Sequence, residues 1–74
     1  MNKAEIIKKY EKLNPKARGK LKDGGEIIGE EVDENNFLHY VIKRDKKVSV
    51  EMAQHLKVTE FHFTPNIVNR VRKN

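Results

Sequence analysis

Three clusters of turn residues cut this chain, after residue 18, into runs too short for helices. Asp23-Gly24-Gly25, Asp33-Glu34-Asn35-Asn36 and Arg44-Asp45-Lys46 recur at the near-regular spacing of short strands joined by tight turns. Glycine in the first supplies the positive φ that a tight hairpin needs, without steric cost. The intervening runs predict strands over Arg18–Lys22, Glu26–Val32, Phe37–Lys43, residues 47–52 and Lys57–Phe63. Val48, Val50 and Met52 alternate with Lys47, Ser49 and Glu51, which is the pattern of a half-buried strand. Phe37, Leu38, Tyr40, Val41 and Ile42 fall on both alternation classes, so that strand is predicted to be central and buried on most of both faces. Gly29 interrupts the second strand and predicts a bulge or sharp bend there. Ala53–His55 reads as a short turn.

The flanks read differently. Asn2 is a good N-cap and Glu5 stands where a capping box would be completed. Ile6, Ile7, Tyr10 and Leu13 then form one helical stripe, which predicts a lid on the sheet. Pro15 disfavours helix at Asn14, so the helix should stop near Leu13. Thr64-Pro65 predicts the cap and first residue of a second helix, with Ile67, Val68 and Val71 inward. The expected architecture is α+β, mainly β, in one domain over residues 1–74. It comprises an N-terminal helix (1–14), about five short bent antiparallel strands rolled into a small barrel (18–63), and a short C-terminal helix or tail (64–74). Closure into a barrel would remove exposed strand edges.

Composition restricts the chemistry. The chain has 74 residues and no cysteine, which rules out disulfides and thiolate metal sites. A small secreted domain usually needs such staples, so a cytoplasmic setting is expected. No apolar stretch approaches the roughly 20 residues that span a bilayer, and no export signal or membrane association is expected. His39, His55 and His62 lack the spacing of a metal motif. No phosphate-binding glycine loop is present, and Ser49, the single serine, is in no nucleophile context. A non-catalytic protein without cofactor is expected.

The net charge of +5 is unevenly distributed. Lysine and arginine dominate up to residue 22 and return at 43–47 and 70–73, whereas residues 23–36 carry six acids and no base. Segregated basic charge attracts phosphate on one face. The first functional reading is therefore a binding module for RNA or another single-stranded nucleic acid. Tyr40 would stack on bases, Lys43, Arg44, Lys46 and Lys47 would contact phosphates, and Lys9, Lys12, Lys16 and Arg18 would add basic surface.

The basic helix, the glycine-containing turn, the bent strand with Gly29, and Asn35-Asn36-Phe37 opening the central strand together resemble the Sm-like barrels. Among these the bacterial Sm-like RNA chaperones of the Hfq family are nearest in layout, and the same turns and glycine also suit other SH3-type small barrels. Gly29, Asn35 and Phe37 stand where that family places a second-strand glycine and an Asp-x-Phe-like step. The family's Lys-His step falls on Gln54-His55, which keeps the histidine. Glu31 and a longer third hairpin depart from the pattern. The resemblance implies a ring-forming RNA binder and adds His55 to the nucleic-acid set. An alternative is a protein-interaction module, such as a bacterial or phage regulator docking on a larger protein through Glu30, Glu31, Ile67, Val68 and Val71. A homo-oligomer is a third possibility, given the small size.

Overall fold

In the computed structural model, which describes residues 1–61, the N-terminal helix forms as its caps dictate. Asn2 precedes α1 (Lys3–Leu13), and its side-chain oxygen accepts from the Glu5 N–H at 3.2 Å. Asn14 closes the helix in the left-handed region (φ 45°), and its N–H donates to the Tyr10 carbonyl. Five antiparallel strands follow: β1 (Gly19–Leu21), β2 (Glu26–Val32), β3 (Leu38–Arg44), β4 (Lys47–Met52) and β5 (Val58–Phe61). A single 3-10 turn at Ala53–His55 links the last two.

The strands form one sheet in the order β4-β3-β2-β1-β5. β5 crosses back to pair with β1, setting Leu21 opposite Val58 and Gly19 opposite Phe61. The expected bulge is present: the β2–β3 register shifts between Ile27 and Gly29. Each tight turn takes the conformation its residues favour, with positive φ at Gly24 (95°), Asn36 (67°) and Asp45 (56°).

Three expectations need correction. Among the described residues the sheet is not closed into a barrel: β4 and β5 are its two edges and no pairing joins them. β1 is only three residues long. Phe37 lies outside β3, since the turn claims its backbone: Asp33 N–H donates to the Phe37 carbonyl, and the Asp33 carboxylate accepts from Phe37 N–H. Leu13 is 61 % exposed, because the helix ends there and Tyr10 is the last stripe residue packed against the sheet. The expected second helix, with Ile67, Val68 and Val71, lies outside the described residues.

Both faces of the sheet are covered. On one, Leu21, Ile27, Tyr40 and Ile42 form a cluster flanked by Leu38, Ala53, Leu56 and Val58. On the other, Ile28, Val41 and Val50 lie under Ile6, Ile7 and Tyr10 of the helix. Alternation along β3 serves both layers, which is why that strand is apolar in both classes. The Tyr10 ring lies directly over Gly29, where any Cβ would collide with it. Its hydroxyl donates to Glu31 at 3.1 Å. Burial, reinforced by the Glu31 carboxylate, pushes the Tyr10 phenol up from its ordinary pKa. No helix among the described residues is long and apolar enough to cross a membrane.

Candidate nucleic-acid interface

Antiparallel connectivity places alternate turns at the same end of the sheet. The β1–β2 and β3–β4 turns share one end and carry Lys22, Lys46 and Lys47; the β2–β3 turn, with Asp33 and Glu34, occupies the other. The two basic-end turns are tied together, because Arg44 Nη2 and Nε donate to Asp23 Oδ2 at 2.9 and 3.2 Å. Residues remote in sequence are thus brought together, Lys22, Lys46 and Lys47 beside Asp23 and Asp45 of the same turns.

Beside these turns, Lys22 N–H donates to the Lys57 carbonyl at 2.9 Å, which brings the end of β1 against the entry to β5. An open groove of about 530 Å³ lies there, lined by Leu21, Lys22, Asp23, His55, Leu56 and Lys57. Leu21 and Leu56 give it an apolar floor from the packed core. His55, Lys22 and Lys57 are exposed at its rim, beside Asp23, whose carboxylate is paired with Arg44. A planar base fits an apolar floor, and ammonium groups at the rim suit phosphate.

The structure sorts the residues expected from sequence. Lys46, Lys47 and His55 are exposed at the basic end, and Lys12 and Lys16 are exposed elsewhere. Lys43 is half-buried and donates to the Asn14 side-chain oxygen at 3.4 Å. It also faces Glu26 across the sheet, and Glu26 faces Lys20 in turn. Arg44 is committed to structure: besides Asp23, it donates to Glu51 Oε2 at 2.6 Å, and Ser49 donates to the same oxygen at 2.9 Å. The Arg44 guanidinium holds both Asp23 and Glu51 below the usual carboxylate range.

Tyr40 is a core residue, 8 % exposed in the Leu21–Ile42 cluster, and offers no face for a base to stack on. Alternation sets it on the same face as Ile42, and burial with the nearby Glu30 charge raises its phenol pKa. Lys9 lies 3.8 Å from Glu31 and over the Tyr10 ring, and Arg18 lies 3.1 Å from Glu30. Glu30 and Glu31, the acids expected to dock a protein, are therefore partnered within the chain. His39 is buried, with Nδ1 3.2 Å from the Phe37 carbonyl and 3.9 Å from Asp33. Among the described residues no cluster of His, Asp and Glu could hold a metal ion.

Sequence reasoning missed Lys22, Lys57 and the Leu21/Leu56 floor. Their juxtaposition depends on β5 returning to β1, and no local pattern encodes that return. No protein-family model matches this chain, and neither the curated proteins nor the solved structures contain a significant match to it.

Proposed function

We propose that this chain is a non-catalytic module that binds single-stranded nucleic acid, RNA in the first instance, at the basic end of its sheet. The observation that carries this reading is the groove with an apolar Leu21/Leu56 floor and Lys22, Lys57 and His55 at its rim. Lys46 and Lys47, exposed on the turn that Arg44 ties to the β1–β2 turn, extend the same positive field. With Tyr40 in the core, recognition rests on phosphate contacts and one apolar seat for a base, which favours sequence-tolerant binding. The strand order, the return of β5 to β1 and the Gly29 bulge support kinship with the SH3-type or Sm-like small barrels, in an open form. The absence of cysteine fits action in the reducing cytoplasm.

Fluorescence anisotropy with a labelled uridine-rich strand, a thymidine-rich DNA strand and a duplex tests the proposal. Affinity for the single strands should fall with salt, with a log–log slope of about 0.7 for each phosphate engaged. Lys22→Glu and Lys57→Glu should each weaken binding and flatten that slope. Binding that ignores salt, or that survives both substitutions, overturns the assignment.

A further inference from the structure

We infer that the C-terminal segment of this chain, residues 64–74, folds back over the β2–β3 end of the sheet and seats Ile67, Val68 and Val71 on Val32, Leu38 and Phe37. The contact lies within one molecule and does not depend on nucleic-acid binding. It starts from a part of the core that no described residue covers. Cross-strand pairing sets Val32 opposite Leu38, and alternation places both on the face that carries Tyr40 and Ile42. Leu38 is half-buried against that cluster, but Val32 is 56 % exposed and Phe37, at the end of the turn, is 47 % exposed. The inner apolar layer therefore runs out into solvent at this end, and grouped apolar surface of that kind marks a contact.

The path of the chain points to the occupant. β5 pairs antiparallel with β1, so it runs away from the β1–β2 turn, in the same direction that β2 takes toward Val32. Its last described residue, Phe61, is level with Ile27, because both face Gly19. Val32 lies five residues farther along β2, about 17 Å at the rise of a strand, and two strand spacings, about 10 Å, to the side. Thirteen residues follow Phe61, and an extended chain of that length reaches about 43 Å. The way is open as well, since among the described residues no strand pairs with the β1 side of β2 beyond Ile27.

Composition matches segment to surface. Ile67, Val68 and Val71 share one face of the helical pattern that Thr64-Pro65 opens, and Arg70, Arg72 and Lys73 accompany them. Those three cations would be repelled at the basic end by Lys22, Lys46, Lys47 and Lys57. At the β2–β3 turn the charged side chains are Asp33 and Glu34, and Glu34 is exposed. Charge thus selects the end, and apolar burial supplies the seat. With Ile67, Val68 and Val71 spent inside the chain, they are not free to dock on a larger protein.

The chain has no cysteine, so a nitroxide attached to Asn69→Cys in the full chain is a single probe of where the segment lies. In the NMR spectrum the amide signals of Val32, Phe37 and Leu38 should lose most of their intensity, while those of Lys22, Gly24 and Lys46 keep theirs. Phe37→Ser and, independently, Val68→Asp should each restore most of the lost intensity. Neither threatens the fold: the turn bonds residue 37 through its backbone, and Val68 lies outside the sheet. Weak, uniform broadening overturns the proposal, as does broadening centred on the basic end or broadening that both substitutions leave untouched. Spin-labelled chains mixed with isotope-labelled, cysteine-free chains should leave the latter sharp; broadening there would make a second copy the occupant and overturn the proposal too. No oligonucleotide enters these measurements, so this inference and the nucleic-acid reading fail separately.

Discussion

Gly29 is the residue on which the helix rests. The Tyr10 ring occupies the space a side chain would need, and the glycine also falls at the β2 bulge. Gly29→Ala should lower stability by about 1–3 kcal/mol, the range for overpacking a well-filled contact, as measured by urea denaturation. In a Tyr10→Ala background the same change should cost far less, and additivity in that double-mutant cycle would show that the ring is not what excludes the methyl group. The bend at Gly29 was legible in the sequence, but the tyrosine above it was not. An isolated glycine in a strand announces an irregularity without naming what approaches it. Tyr40 shows the converse limit. Its amphipathic side chain suits a stacking surface as well as a core, and only the register of β3 against β2 and β4 decides between them.

At the scale of elements, the Arg44 side chain joins the β1–β2 turn to β4. Arg44 holds Asp23 and Glu51 below their ordinary pKa values, so their contribution to stability is present above the unfolded carboxylate range of about 4 and is lost as pH falls through the depressed folded values. The urea midpoint should therefore hold steady through neutral pH and drop on acidification below that range. Glu51→Gln should make the drop shallower, and an unchanged acid limb would show that the pair contributes nothing there. Arg44→Lys should not restore the full network, because one ammonium cannot reproduce the planar fork that spans both carboxylates. The elements themselves were largely readable. β2 has its expected bounds, and α1 starts at its expected cap. The start of β3 moved because the Asp33 side chain captures the Phe37 N–H, a local competition that strand propensity does not register. A second glycine is required for pairing: a Cβ at Gly19 would lie 2.6 Å from the Glu60 carbonyl oxygen. Gly19→Ala should loosen β5 from β1, seen as faster amide exchange in both strands.

For the whole molecule, the two layers differ in how firmly they are held. Ile27, Val41 and Ile42 in the central strands are fully buried, whereas no residue of α1 is buried. Hydrogen exchange should accordingly find the slowest amides in β2 and β3 and faster opening in α1, with equal protection in both arguing for one cooperative unit. Charge runs in the sequence showed that basic and acidic surfaces would separate. They could not show which turns would share an end of the sheet, or that Glu30, Glu31, Asp23 and Glu51 would be spent on Arg18, Lys9 and Arg44. The same layered plan gives the molecule a built-in optical label. The chain has two tyrosines and no tryptophan, with Tyr10 between helix and sheet and Tyr40 in the cluster on the opposite face. Its ultraviolet emission therefore comes from one chromophore per layer, and replacing either tyrosine with phenylalanine leaves the other to report the melting of its own side of the sheet.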